Sequence, residues 1–272
     1  MALPRAILFD LDDTLIRAYA QPDEAWRRLL GSFAEPLDAP DAAAIERVRV
    51  MVMDEARTLW IDQTAAAKWR LDIPGARRLS TRRALARLGY DDEALAHRIA
   101  DAFTEMRRQE YRLYPDAHTT VDALRQAGVR LALVTNGASA MQRDKIERFD
   151  LAHRFDHIQI EGEFGQGKPE LAVYRHALEK IGCEACDAWM VGDNYEWEVV
   201  APQKLGMIAA LANAAAVFQR DDWLAAAERA WRFVMDRMRD PHGRLFHSWR
   251  IGKRLHRGTL DDYANMRGSL TG

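Results

Sequence analysis

This sequence has few cysteines, no long apolar run and a small net charge, and each of these features excludes a class of protein. The only two cysteines, Cys183 and Cys186, have no second pair of ligands nearby for a zinc site, and they follow a predicted helix end, unlike a thioredoxin-type redox pair. No apolar stretch approaches the ~20 residues of a membrane span, and the N-terminal run is too short for a signal peptide. The net charge of −2 gives no general attraction to nucleic acid or to a membrane surface. We expect a cytoplasmic protein with neither partner.

What the sequence does contain is a repeated design of short apolar runs, each followed by polar residues. Such runs occupy residues 6–9, 129–134 and 188–191. Because they are unbroken rather than alternating, they predict strands that are buried on both faces. Helical patterns lie between them, so the sequence predicts an α/β fold with a parallel sheet. Ligands of such sheets bind beyond the carboxyl ends of the strands, and the polar clusters are therefore expected at one edge.

Residues 17–114 have a different character, because their apolar residues recur at helical spacing and no convincing strand is present. They predict an all-helical insertion after the first strand. Within it, Trp69 and Arg70 are a pair that could line a pocket, but the better prediction is that they pack in the core.

The polar clusters contain the groups that hydrolysis of a phosphate monoester requires. Asp10 is placed to attack phosphorus, and Asp12, on the same side of an extended segment, could act as acid and then as base. Acids this close need a counter-charge, which Mg²⁺ could supply with Asp193 as a further oxygen ligand. Four residues are predicted to meet the phosphoryl oxygens with a hydroxyl, two amides and a positive charge: Thr135, Asn136, Gly137 and Lys168.

Four segments together resemble the motifs of the haloacid dehalogenase (HAD) superfamily, in the right order. They are DLDDT at 10–14, VTNG at 134–137, GKP at 167–169 and VGDNYEWEVVAPQKLGM at 191–207. The resemblance covers about residues 5–207 and is strongest to small-molecule phosphatases with a helical C1 cap, nucleotidase-like and acylneuraminate-phosphatase-like members included. It implies a Rossmann-like core at 1–16 and 115–206, with the cap at 17–114.

The resemblance also implies a role for each motif residue. Asp10 would be the nucleophile that forms an aspartyl-phosphate, Asp12 the acid and base, and Lys168 the catalytic cation. Mg²⁺ would be held by Asp10, the carbonyl oxygen of Asp12 and Asp193. The acid at position 12 favours phosphoryl transfer, because the dehalogenases of the superfamily lack one there. Glu198 stands where the superfamily usually has a second aspartate, which leaves its role open.

The C-terminal residues 207–272 depart from the superfamily, which normally continues with one more strand. Residues 207–216 are alanine-rich and predict helix rather than strand, a second helix is expected over 224–238, and 243–256 resembles a short hairpin. The tail is similar to a fragment of large thioredoxin-domain-containing proteins built on an (α/α) toroid. We therefore expect a mainly helical extension of atypical origin.

Taken together, these features predict a Mg²⁺-dependent phosphatase that acts on a small phosphorylated metabolite, as a monomer or a homodimer. Two alternatives stay open. The first is another HAD reaction, either phosphotransfer, mutase chemistry or dehalogenation. The second is a binding protein with impaired catalysis, whose site is loosened because the tail replaces the last strand.

Overall fold

The computed structural model describes residues 3–19, 22–39, 41–61, 63–211, 246–250 and 253–257. Its centre is a sheet of five parallel strands: β1 (Ala6–Phe9), β4 (Arg130–Thr135), β5 (His157–Ile160), β6 (Ala188–Gly192) and β7 (Ile208–Leu211). Their order across the sheet is β5-β4-β1-β6-β7. The three apolar runs of the sequence form β1, β4 and β6, and the predicted α/β class is confirmed.

The register of the central strands aligns their carboxyl ends. Phe9, the last residue of β1, pairs with Leu133 of β4 and with Val191 of β6. All four residues of β1 are buried, as expected for a strand covered by helices on both faces. The polar residues that follow these strands are thereby delivered to one edge of the sheet.

Helices cover both faces of the sheet. They are α6 (Ala117–Gln126), α7 (Ser139–Arg148), α8 (Glu161–Phe164), α9 (Leu171–Lys180) and α10 (Ala201–Gln203), with a π-helical turn at Tyr195–Val200. Within the described residues, none of the helices combines the length and apolarity that crossing a bilayer demands.

The helical insertion between β1 and β4 leaves the sheet through a small two-stranded stem. Strand β2 (Ile16–Arg17) pairs antiparallel with β3 (Arg112–Leu113). Between them lie five helices: α1 (Pro22–Gly31), α2 (Ala42–Ile61), α3 (Gln63–Arg70), α4 (Ile73–Arg87) and α5 (Glu93–Glu110). The prediction of an all-helical insertion is corrected by this stem, whose two-residue strands are too short for a periodicity to show.

The insertion has a core of its own, separate from that of the sheet. Trp26 of α1 stacks on Phe103 of α5, with ring centroids 3.7 Å apart. Asp92 caps α5, where its side chain accepts a hydrogen bond of 2.8 Å from the backbone of Leu95. Such packing lets the insertion present a defined wall to the edge of the sheet.

The first part of the alanine-rich segment forms a strand, so the prediction of helix is wrong for Ile208–Leu211, while residues 212–216 lie outside the described residues. Ile208–Leu211 pairs in parallel with β6, from Trp189 to Gly192. Pairing with a buried neighbour supplies hydrogen bonds and cover that outweigh the modest helical preference of alanine. Strand β6, which precedes Asp193, is therefore not an edge strand.

Further along the tail, the predicted hairpin is present as β8 (Phe246–Arg250) and β9 (Lys253–Arg257), paired antiparallel. The helix predicted over 224–238 lies outside the described residues. So does most of the segment that resembles the (α/α) toroid proteins, and that resemblance stays a prediction.

Candidate active site

The carboxyl ends of β1, β4 and β6 border one open cavity. Asp10 follows β1, Thr135 ends β4 and Asp193 follows β6. These residues and Lys168, from the loop before α9, line a cavity with a volume of about 1640 Å³. Helices α3 and α4 of the insertion form its opposite wall. The convergence predicted from the sequence is confirmed.

Lys168 is the electrostatic centre of this cavity. Its ammonium lies 2.5 Å from Oδ1 of Asp10 and 2.7 Å from Oε1 of Glu198, and its side chain is fully buried. Desolvation by itself would lower the pKa of Lys168, but the charges of Asp10 and Glu198 hold it above its usual value. One cation thus serves two buried carboxylates.

Glu198, whose role the sequence left open, is a counter-ion of Lys168. Burial raises the pKa of Glu198 to about 7, against the opposing charge of Lys168. Its second oxygen accepts a hydrogen bond of 2.7 Å from the backbone of Asn194. The side chain folds back so closely that a Cβ at position 192 would lie 2.0 Å from its Cγ, which explains Gly192 in the motif.

Asn136 positions Lys168 through its side chain. Its Nδ2 donates to the carbonyl oxygen of Lys168 at 2.8 Å, and its Oδ1 accepts from the amide of Lys168 at 2.7 Å. This paired contact joins the loop after β4 to the loop before α9. The side chain of Asn136 therefore supports the cation, while its predicted role toward phosphate rests on the backbone amide.

Asp12 is held by two residues that the sequence analysis missed. Nζ of Lys145 lies 2.7 Å from both carboxylate oxygens of Asp12, and Nε2 of Gln142 donates to Oδ2 at 3.0 Å. Gln142 also donates to Oγ1 of Thr135 at 2.5 Å. Both residues are buried on one face of α7, three positions apart. Buried polar side chains at helical spacing, directly after a motif, were the available signal.

Glu161 connects the insertion to the loop after β4. Its carboxylate accepts from Arg70 of α3 at 2.8 Å and from the amide of Gly137 at 2.9 Å. Arg70 lines the cavity and lies over the ring of Trp197, so the prediction that it packs in the core is wrong. The amide of Gly137, which was predicted to donate to a phosphoryl oxygen, donates here to the carboxylate of Glu161.

Asp10, Asp193 and the carbonyl oxygen of Asp12 are oxygen donors of the kind that a hard divalent cation prefers. Partial burial, reinforced by the negative charges of Asp10 and Asp13, raises the pKa of Asp193 to about 7. Burial and the neighbouring acids both disfavour the ionised carboxylate, and a bound cation would favour it. Among the described residues no three His, Cys, Asp or Glu side chains form a complete metal cluster. The predicted ligand set needs only two carboxylates, because its third ligand is a backbone carbonyl.

Asp13 stabilises the turn beside this site. Its backbone has a φ of 54°, and its Oδ1 accepts a hydrogen bond of 2.8 Å from the amide of Ala18. The residue thereby closes the turn that leads from β1 into the insertion. Of the three aspartates that follow β1, Asp10 and Asp12 line the cavity.

Comparison with known proteins gives a consistent result over most of the chain. Residues 4–206 match the family model described as haloacid dehalogenase-like hydrolase. A phosphoserine phosphatase of Thermus thermophilus is 40% identical over 114 residues, 42% of this chain and 45% of that protein. A ribulose-1,5-bisphosphate 5-phosphatase of Halopiger xanaduensis is 28% identical over 86% of this chain and 93% of that protein. A phosphoglycolate phosphatase of Pseudomonas aeruginosa is 29% identical over 88% of this chain and 78% of that protein. The chain thus spans less than half of the first relative and most of the other two.

Solved structures with the same fold include a dehalogenase. A 2-haloacid dehalogenase of Pseudomonas syringae superposes with a TM-score of 0.54 at 25% identity, covering 79% of this chain and 88% of that one. A hydrolase of Bacillus subtilis gives a TM-score of 0.56 at 23% identity, over 78% of this chain and 88% of that one, and shows the fold alone.

Proposed function

This chain belongs to the haloacid dehalogenase-like hydrolases, and we propose that it hydrolyses small phosphate monoesters through a covalent phosphoryl intermediate on Asp10. The observation that carries this proposal is the placement of Asp10, buried at the end of β1 with one oxygen on the ammonium of Lys168. The relatives that cover most of the chain are named as phosphatases, which supports the same reaction.

In this proposal Asp10 attacks phosphorus, and the bond from phosphorus to the leaving oxygen breaks. Asp12 gives a proton to that oxygen, and it then takes a proton from the water that attacks the aspartyl-phosphate. Lys168 and the hydroxyl of Thr135 face the negative charge of the phosphoryl oxygens. The side chain of Asn136 keeps Lys168 in place during both steps.

A divalent cation, which we propose to be Mg²⁺, would be held by Asp10, Asp193 and the carbonyl oxygen of Asp12. When bound it supplies charge that offsets the phosphate and brings the carboxylates together. The negative charges of Asp10 and Asp13, which add to the effect of burial in raising the pKa of Asp193, support the binding of a cation there.

We expect Mg²⁺ to raise the unfolding temperature more at pH 8 than at pH 5.5. The folded-state pKa of Asp193 lies above its ordinary value, so without a cation the folded protein loses stability as pH rises toward and through about 7. At pH 8 the carboxylate is ionised and can bind the metal, whereas at pH 5.5 it is mostly protonated. Thermal melts in EDTA and in Mg²⁺ measure both increments. Equal increments at the two pH values, or an unchanged increment in Asp193→Asn, would contradict the metal site.

We expect Lys145→Met to impair the hydrolysis of alkyl phosphates far more than that of p-nitrophenyl phosphate. An alkoxide must be protonated as it leaves, so loss of the contact that orients Asp12 should lower kcat/KM by about 10²-fold. Nitrophenolate is a stable leaving group and needs little help. The ratio of kcat/KM for glycerol 3-phosphate and p-nitrophenyl phosphate measures the effect, and Gln142→Leu should move it in the same direction. A uniform loss for both esters would indicate a purely structural role.

The first functional test is release of inorganic phosphate from an ester panel, with and without Mg²⁺. Phosphoserine, phosphoglycolate and p-nitrophenyl phosphate represent the substrates named for two relatives and a generic ester. Chloropropionate, assayed for chloride release, represents the dehalogenase activity of the structural relative. Phosphate release without chloride release is the expected result, since Asp12 provides the acid that only the phosphoryl reaction requires. The reverse result would overturn the proposal.

The other alternative, a binding protein with a site loosened by the tail, loses its physical basis because β7 forms and pairs with β6. A cytoplasmic location and a monomeric or homodimeric state stay predictions.

A further inference from the structure

Arg77 is a cavity-lining cation that the proposed chemistry does not use. It lies on α4 of the insertion and faces the cavity that also contains Asp10 and Lys168. Its Nη1 donates to Oγ1 of Thr104 at 3.2 Å, and its guanidinium lies 5.1 Å from the centroid of the Phe103 ring. These contacts hold the guanidinium in place without neutralising its charge.

Arg77 differs from the other partly or fully buried arginines of the insertion in having no carboxylate partner. Within the described residues, Arg49 pairs with Glu46, Arg70 with Glu161 and Arg107 with Glu110, whereas no ion pair involves Arg77. The remaining arginines of α1 to α5 are exposed to solvent.

Partial burial makes the unpaired charge of Arg77 energetically costly. Burial lowers the pKa of Arg77 below its usual value, although Tyr111 and Tyr19 oppose this shift, and the neighbouring charge of Arg107 adds to it. A guanidinium nevertheless stays ionised in proteins, so the cost of partial desolvation is not relieved by loss of a proton. An anion supplied from the cavity would relieve it.

The other buried or partly buried cations of the cavity wall already pair with acids. Lys168 serves Asp10 and Glu198, Lys145 serves Asp12, and Arg70 serves Glu161. Lys68 is exposed to solvent and lies against Trp69. Among the described residues that line the cavity, Arg77 is thus the partly buried cation that forms no ion pair with an acidic side chain.

We propose that Arg77 binds a second anionic group of the substrate, a carboxylate or a second phosphate, while the phosphate to be hydrolysed lies at Asp10. This inference rests on the proposed phosphatase function and names its substrate class. A planar guanidinium can bind either anion through two parallel hydrogen bonds. Tyr19 also lines the cavity and interacts electrostatically with both Asp12 and Arg77. The cavity volume of about 1640 Å³ leaves room for such a substrate.

The test compares pairs of esters that differ in the second anion. Phosphoglycolate against ethyl phosphate measures the contribution of a carboxylate, and propane-1,3-diyl bisphosphate against propyl phosphate measures that of a second phosphate. We expect the wild-type protein to favour the doubly anionic member of one pair, and Arg77→Met to reduce that preference in kcat/KM by about tenfold or more, mainly through KM. Arg77→Lys should restore part of this preference, because lysine keeps the positive charge. It should not restore all of it, because lysine cannot donate the two parallel hydrogen bonds of a guanidinium.

Arg83→Met is the matched control, since Arg83 is an exposed arginine of the same helix with no ion pair in the described part of the chain. It should keep the wild-type preference. The inference is overturned if wild type shows no preference in either pair, or if folded Arg77→Met keeps the wild-type preference. Calorimetric binding of the same four esters decides the point without turnover. Absence of hydrolysis with selective binding would therefore contradict the phosphatase proposal and uphold the role of Arg77.

Discussion

Asp10→Asn should reduce phosphate release to background, by roughly a thousandfold or more, while the protein stays folded. The amide has nearly the shape of the carboxylate but cannot act as the nucleophile. The measurement is release of phosphate from p-nitrophenyl phosphate and phosphoglycolate in saturating Mg²⁺, with the melting temperature taken in parallel.

The stability of Asp10→Asn distinguishes loss of chemistry from loss of structure. In the wild-type protein Asp10 and Glu198 share the single charge of Lys168, and burial raises the pKa of Asp10 above its ordinary value. Removal of one of two crowded carboxylates leaves a balanced pair of Lys168 and Glu198. We therefore expect a melting temperature in EDTA that is equal to or higher than that of wild type. Residual metal-dependent hydrolysis in a well-folded variant would show that Asp10 is not the nucleophile.

Lys168→Met should abolish activity and also destabilise the fold, by roughly 3–5 kcal/mol near neutral pH. The substitution leaves Asp10 and Glu198 buried without their counter-ion. Because their folded-state pKa values are raised already, each carboxyl favours the folded protein when protonated and loses that stability as pH rises. The destabilisation should accordingly be small near pH 5 and grow toward pH 8. Urea denaturation at the two pH values measures it.

The double variant Lys168→Met with Glu198→Gln is the matched control for that prediction. It removes the cation together with one of its two anions, so it should recover a large part of the lost stability. It should not recover activity, since the phosphoryl oxygens still lack their cation. If both the single and the double variant are still strongly destabilised relative to wild type at pH 5, packing rather than charge is the main role of Lys168. If the double variant hydrolyses phosphate esters, Lys168 is dispensable for the reaction.

The sequence by itself determined the three central strands of the sheet and the residues gathered at their carboxyl ends. The unbroken apolar runs of β1, β4 and β6 required burial on both faces, and parallel strands with a common register deliver Asp10, Thr135 and Asp193 to one place. These are consequences of local periodicity and of chain topology, which a sequence displays directly.

Only the tertiary structure decided which partners hold those residues and where the sheet ends. Lys145 meets Asp12 across 133 positions, and Arg70 meets Glu161 across 91. No local pattern encodes such pairs, because each depends on how the insertion and the helices pack against the sheet. Strand β7 shows the same limit, since its alanines prefer helix in isolation and become a strand when the open side of β6 offers hydrogen bonds and cover. Burial and long-range pairing act on the whole chain, and their energies outweigh the preferences of any single segment.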